Sequence, residues 1–181
     1  MSGYDIKKLV DAGLSHFWSE NYGQIYPTLD RLVKEGLAKK KSERQSGRRQ
    51  RFVYYITPAG QSALSDWLHE PTDSPVTRNE MQLKFFLSAY TTSRAKRLVE
   101  EYRTQQAALL EEYQASESLL RAAIEEHLNV PELEELLDIS AATARQRKKQ
   151  TEVFFLTLRH GILAVEGRLA WCKEVTEYLD R

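Results

Sequence analysis

The sequence predicts a mainly α-helical protein in two parts, with one β-hairpin in the first part. Three observations carry this. Apolar residues recur at spacings of three and four through most of the chain. One short stretch, Phe52-Val53-Tyr54-Tyr55-Ile56-Thr57, instead alternates and is rich in β-formers. A Pro/Asp/Ser/Thr cluster, PTDSPVT at 71–77, breaks the chain near residue 75. Elements before it are short and mixed. After it the pattern is almost wholly helical, with only Pro131, Gly161 and Gly167 as breakers. The expected domains are 1–72 and 78–181.

Asp5 to Leu14 reads as a short helix with Ile6, Leu9 and Val10 on one face. His16-Phe17-Trp18-Ser19 connects it to a second helix in which Ile25, Leu29, Leu32 and Val33 keep helical spacing. Asn21 suits its N-cap, Pro27 falls early in it with a slight kink expected, and Gly36 can end it at positive φ. Residues 37–44 and 51–57 are the arms of the hairpin, whose tip holds Gly47, Arg48 and Arg49. Thr57-Pro58 has the form of an N-cap followed by Pro at N1. It opens a helix to about Leu68 with Ala63, Leu64, Trp67 and Leu68 inward.

Past the linker, Met81 to Tyr90 reads as one helix, and Thr92 or Ser93 can cap the next. That next helix steps through Leu98, Tyr102, Gln105, Leu109, Tyr113, Ser116, Leu120 and Ile124. Leu133, Leu136 and Leu137 mark a short helix. A last long helix, from about Ser140 to Leu179, bears two neighbouring stripes. One is Val153, Leu156, His160, Leu163, Gly167 and Ala170. The other is Phe155, Leu158, Ile162, Val165, Leu169 and Cys172. One antiparallel neighbour covers one stripe, and a second copy of the chain would cover the other. Gly161 and Gly167 each cost about 1 kcal/mol relative to Ala in a helix, which a close backbone approach would offset. The expectation is a homodimer through Phe155, Leu158, Ile162, Val165 and Leu169; the alternative is a single intrachain bundle.

At 181 residues, 41% hydrophobic and 29% charged, the chain is globular rather than disordered. No stretch approaches the roughly 18 apolar residues needed to span a bilayer, and the start, MSGYDIKK, lacks the apolar core of a signal peptide. A lone cysteine, Cys172, rules out an internal disulfide and fits a reducing, cytoplasmic setting. The chain balances at 26 basic and 26 acidic side chains, but residues 1–60 hold eleven Lys/Arg against six Asp/Glu. Nine of those eleven lie between Arg31 and Arg51, opposed only by Glu35 and Glu43. A local field of that density favours a polyanion.

Catalysis finds no foothold. His16, His69, His127 and His160 are scattered, and no HExxH, GxSxG, phosphate-cradling loop or cysteine pair is present. Glu125-Glu126-His127 reads as a solvated helix end, and His160 as a packed core histidine. No enzyme, metal site or cofactor is expected.

Helix, glycine, strand, Arg-tipped turn, strand is the order of a winged helix-turn-helix: a recognition helix followed by a β wing. A helix fits the major groove of double-stranded DNA, where amides and guanidinium groups distinguish base pairs. The side chains expected there are Asn21, Tyr22, Gln24, Tyr26, Thr28, Arg31 and Lys34. Arg48, Arg49 and Arg51 of the wing suit phosphates or an adjacent minor groove. The whole then reads as a winged-helix DNA-binding domain followed by an all-α dimerisation domain. The alternative is a winged-helix protein-interaction module that binds no specific DNA sequence.

Several motifs in order resemble the PadR family of transcriptional regulators. They are Gly3-Tyr4-Asp5-Ile6-Lys7-Lys8, His16-Phe17-Trp18, Tyr22-Gly23-Gln24-Ile25-Tyr26-Pro27, Arg31-Leu32, Glu35-Gly36-Leu37, Gly47-Arg48 and Tyr54-Tyr55-Ile56-Thr57-Pro58-Ala59-Gly60. The likeness is tight over 3–70. Later residues are similar in pattern only, best at Leu156-Thr157-Leu158-Arg159-His160-Gly161-Ile162. The resemblance implies a dimeric repressor binding a pseudo-palindromic operator, released in some members by a small aromatic or phenolic effector. Trp18, Trp67, Phe85, Phe86 and Tyr90 are the candidate aromatics for such an effector pocket, and ordinary core packing is the preferred reading of them. Family members commonly carry a further helix ahead of the Ser-Gly-Tyr-Asp motif. The first helix is therefore expected to be missing, by a late start or a real truncation, leaving Ile6, Leu9 and Leu37 less covered.

Overall fold

The computed structural model describes residues 1–43, 51–72, 78–90, 94–125 and 143–181. It is mainly α-helical with one two-stranded antiparallel hairpin. Described residues up to 72 form one compact unit and those from 78 onward a second.

In the first unit, α1 (Gly3–Leu9) continues through one π-helical turn, Val10–Leu14. It starts earlier than the apolar spacing implies because Ser2 and Asp5 form a capping box. The Asp5 N–H donates to Ser2 Oγ, and Asp5 Oδ2 accepts from the Ser2 N–H at 2.7 Å. Helix α2 (Tyr22–Lys34) is capped in the same manner by Asn21 and Gln24 and runs as one helix through Pro27. It closes on Gly36 (φ 74°). The Gly36 N–H donates to Val33 O and the Leu37 N–H to Leu32 O, satisfying two of the last carbonyls.

Strands β1 (Ala38–Glu43) and β2 (Arg51–Ile56) pair from Ala38 with Ile56 to Glu43 with Arg51. Tyr54 turns inward to join Ile25 and Leu29, with Ile6 and Val33 packed around them. The Met1 backbone pairs with Tyr54 in both directions. Helix α3 (Pro58–His69) is docked by its first turn. The buried Thr57 hydroxyl donates toward Gly36 O at 2.7 Å, with Leu37 O at 3.1 Å, and accepts from the Gly60 N–H at 3.0 Å. A Cβ on Gly60 would stand 2.1 Å from Leu37 O, so this approach requires glycine. Leu64, Trp67 and Leu68, expected inward, are exposed, Trp67 at 63%. Past its first turn, α3 finds no cover for these three side chains among the described residues.

The second unit contains α4 (Glu80–Leu87), a 3-10 turn (Ser88–Tyr90), α5 (Ala95–Glu125) and α6 (Ala144–Leu179). Thr143 and Gln146 cap α6 with a third reciprocal box. Helices α5 and α6 are antiparallel. Lys96 meets Asp180, Arg168 donates to Gln106 Oε1 at 2.8 Å, Arg159 meets Glu117, and Arg121 lies over the Phe155 ring. From Lys96 to Arg121 that seam runs roughly 37 Å. Its buried positions on α5 are Val99, Gln106, Tyr113 and Leu120, spaced by seven residues, with Ala123 one turn beyond the last. Gln105 and Ser116, expected on the inner face, are exposed instead.

The stripes of α6 are assigned the other way from expectation. Leu158, Ile162 and Val165 are buried within one chain, Ile162 at 0% exposure, and Phe155 and Leu169 are half-buried beside them. Four of the five residues expected at a dimer interface thus flank or fill the α5–α6 seam, and Leu169 borders it. The stripe left uncovered is Val153, Leu156, His160, Leu163, Gly167 and Ala170, with Leu156 at 64%. His160 is therefore not a core histidine. Gly161 is buried, whereas nothing lies within 4 Å of a Cβ built on Gly167. Expectations for Thr92, Ser93, His127, Leu133, Leu136 and Leu137 fall outside the described residues.

Candidate nucleic-acid interface

Burial of Ile25 and Leu29 fixes which face of α2 is outward. Helical spacing sets Gln24, Pro27, Arg31 and Lys34 in one exposed line on the opposite side. Arg31 and Lys34 also occupy the last turn, where cations complement the helix dipole. Asn21 and Thr28 are exposed as well. The two tyrosines lie to the side of that line. The Tyr26 ring rests on Gly3 of α1, where a Cβ would approach it to 2.6 Å, and Tyr22 stacks along Tyr26 with centroids 6.1 Å apart. Both remain partly exposed, but Tyr26 is also a packing residue between α1 and α2.

Strand β1 brings Lys40 to α2. Lys40 donates to Asp30 of α2 at 3.3 Å and lies 4.7 Å from the Phe52 ring centroid and 5.5 Å from that of Tyr54. Tyr54 first, then Asp30, raise its pKa above the ordinary lysine value. Lys41 sits over Tyr55 at 5.3 Å, and Lys39 is exposed.

Arg51 does something the sequence did not foretell. Its guanidinium pairs with Asp5, the same carboxylate that closes the cap of α1. Partial burial pushes the Asp5 carboxyl up, but the Ser2 N–H and hydroxyl, then Arg51, outweigh it and hold it below the ordinary carboxylate range. Arg51 thus ties β2 to α1. Arg48 and Arg49 lie outside the described residues. A shallow hollow of about 340 Å³, lined by Tyr4, Lys7, Lys8, Asp11 and Tyr22, flanks the start of α2. Composition alone gave no reason to single out Tyr4 or Lys8. Their signal was the spacing by four and three that sets Tyr4, Lys8 and Asp11 along one side of α1 and the π-helical turn after it.

The aromatics expected at an effector pocket are divided between the units. Trp18 and Trp67 are exposed in the first, and Trp18 Nε1–H donates to Glu20 Oε1 at 3.2 Å. In the second, Phe86 and Tyr90 are exposed, while Phe85 packs edge-on against Trp171 at 5.3 Å. Among the described residues no group of three His, Cys, Asp or Glu is placed to hold a metal ion, and no helix is long and apolar enough to cross a membrane. Burial raises the Cys172 thiol pKa, so it is a poor nucleophile.

The profile of the transcriptional regulator PadR-like family matches residues 1–66, and that of the virulence activator alpha C-terminal family matches residues 77–180. The negative transcriptional regulator PadR of Bacillus subtilis is 29% identical over 150 residues, covering 81% of this chain and 82% of its own. In its complex with operator DNA it superposes with a TM-score of 0.77 at 24% identity, covering 98% of this chain and 89% of that one. Its complex with p-coumaric acid gives 0.70 at 24% identity, covering 100% and 91%. The Vibrio cholerae virulence activator AphA gives 0.69 at 26% identity, covering 99% and 89%.

Proposed function

The chain belongs to the PadR-like family of transcriptional regulators, and from that premise we propose that it is a dimeric, DNA-binding repressor acting in the cytoplasm. One observation carries the reading. The outward line Gln24, Arg31 and Lys34 on α2 stands next to Lys40 of β1, which pairs with Asp30 of the same helix. Guanidinium and ammonium groups suit phosphates, and a carboxamide suits a base edge. Asn21, Tyr22, Tyr26 and Thr28 flank that line, and Arg48 and Arg49 of the wing are assigned to phosphates on charge alone. Arg51 contributes by holding the wing to α1. The N-terminal 1–72 would bind the duplex, and 78–181 would dimerise.

The dimer is assigned to the uncovered stripe of α6 rather than to the residues in the intrachain seam. Val153, Leu156 and Leu163 leave an apolar line in water, and Gly167 lets a second helix come close. A twofold scaffold sets half-sites about one helical turn, roughly 34 Å, apart or a multiple of it. Release by a small aromatic or phenolic effector is proposed from the p-coumaric acid complex of the Bacillus relative.

Fluorescence anisotropy on the duplex upstream of its own gene, over a salt series, tests the DNA reading. Each phosphate neutralised contributes about −0.9 to the log–log slope. Arg31→Ala with Lys34→Ala should make the slope shallower by about two. Binding no tighter than to random DNA would favour the protein-interaction module instead. Leu156→Glu should convert the dimer to monomer in sedimentation velocity at micromolar concentration; an unchanged dimer would remove the α6 stripe from the interface.

A further inference from the structure

Strand β1 carries three consecutive lysines, and its pleat separates them. Successive residues of a strand face opposite sides. Lys40 pairs in register with Tyr54, whose ring is buried with Ile25 and Leu29 of α2, so Lys40 is on the α2 side of the hairpin. Lys39 and Lys41 are on the other. Lys40 is held three ways. Its ammonium donates to Asp30 Oδ1 at 3.3 Å and stands 4.7 Å from the Phe52 ring centroid and 5.5 Å from that of Tyr54. Among the described residues, neither Lys39 nor Lys41 forms an ion pair. An ammonium has three donors, so hydrogen bonding alone would leave Lys40 one for a phosphate. Charge is the obstacle: a phosphate brought there meets the Asp30 carboxylate as well, and the pair offers it no net attraction.

Asp30 is itself out of place in a surface built for a polyanion. Its side chain is 65% exposed, one residue before Arg31, where its charge repels phosphates. The same carboxylate gains a use as the partner of Lys40. Tyr54 holds β2 to α2 from the core, and the Lys40–Asp30 pair closes that junction at its solvent edge. We propose that Lys40 is a positioning residue rather than a phosphate ligand: with Asp30 it fixes the angle between the hairpin and α2, so that both meet one duplex without reorientation. The inference rests on the DNA-binding reading above. Ordering the two elements before contact removes that cost from association.

The full-length wild type, Asp30→Ala, Lys40→Met, the double variant and Lys40→Arg are titrated by fluorescence anisotropy on two duplexes. One is the duplex upstream of its own gene, the other a scrambled duplex of equal length. If Asp30 acted only by its charge, its removal would tighten binding to both. Instead Asp30→Ala should bind the upstream duplex about three- to tenfold more weakly, as one exposed ion pair and its ring contacts in each protomer support. It should bind the scrambled duplex at least as tightly as the wild type does. Lys40→Met should weaken upstream binding to a similar degree, and the double variant no further than either single change. Lys40→Arg keeps the ion pair and the ring contacts and should restore wild-type affinity. Thermal melts by circular dichroism check the folding of each variant; should Lys40→Met unfold, the exposed Asp30→Ala decides alone. Upstream binding by Asp30→Ala as tight as the wild type's, or tighter, would overturn the inference. So would additive losses in the double variant, which would make Lys40 an independent phosphate ligand. A wild type that binds both duplexes equally would sink the DNA-binding reading itself.

Discussion

In residues 1–72 the elements meet at isolated polar and glycine contacts: Thr57 across Gly36, Leu37 and Gly60; Asp5 between Ser2 and Arg51; Lys40 on Asp30. Among the described residues Ile25, Leu29 and Tyr54 form a small buried cluster there. In the second unit α5 and α6 meet along a continuous seam, and Val99, Ile162, Val165 and Cys172 are all but inaccessible. The contrast teaches that a small unit with little to bury takes its geometry from hydrogen bonds and close approaches at particular atoms. A pair of long helices takes it from periodicity. Damage should therefore be local and chemical in the first unit, volumetric in the second.

The largest effect is expected where volume matters most. Ile162→Ala should cost about 2–5 kcal/mol by denaturant unfolding, since the methylenes leave a cavity in a closed seam. Hydrogen exchange should rise along α5 and α6 and leave α2 as it was. A loss below about 1 kcal/mol would mean that the seam collapses freely, erasing the contrast.

Gly60→Ala probes the other side. Its methyl would meet the Leu37 carbonyl, so the start of α3 must shift, at about 1–3 kcal/mol. Exchange should now rise in α3 and β1. If this variant melts like the wild type, the close approach is not what docks α3.

Asp5→Asn is the smallest, about 0.5–1 kcal/mol at neutral pH. Its sign follows from linkage. Asp5 has a folded pKa below its unfolded one, so its contribution is present above the unfolded value and fades as pH falls through the folded one. The gap between wild type and Asp5→Asn should thus be open at pH 7 and close below about pH 4. A gap that widens on acidification would show that Arg51 does not hold the carboxylate.

Most of the fold was legible because its signals are local. Asn21 and Gly36 bracket α2, Thr57-Pro58 opens α3, and the alternation of 52–57 marks the strand. Two local signals were passed over: the Ser2 and Asp5 spacing that starts α1 early, and the Asn21 and Gln24 pair, whose capping box engages the oxygen of the carboxamide assigned to base reading. Other misreadings have a different cause. Periodicity shows that α6 has two apolar stripes but carries no information on which one a neighbour occupies. The register of α5 settled that, burying Ile162 and leaving Leu156 in water. Likewise, charge density marked Arg51 as a ligand for phosphate, and only the approach of α1 showed that Asp5 claims it.

What the sequence alone determined is the succession of elements, the basic character of 31–51 and the family, since each depends on residues close in the chain or on motifs in order. The tertiary structure alone decided which α6 stripe is free, where Arg51 points and how little of α3 is covered. Those outcomes depend on contacts between residues far apart in sequence, whose geometry no spacing rule encodes.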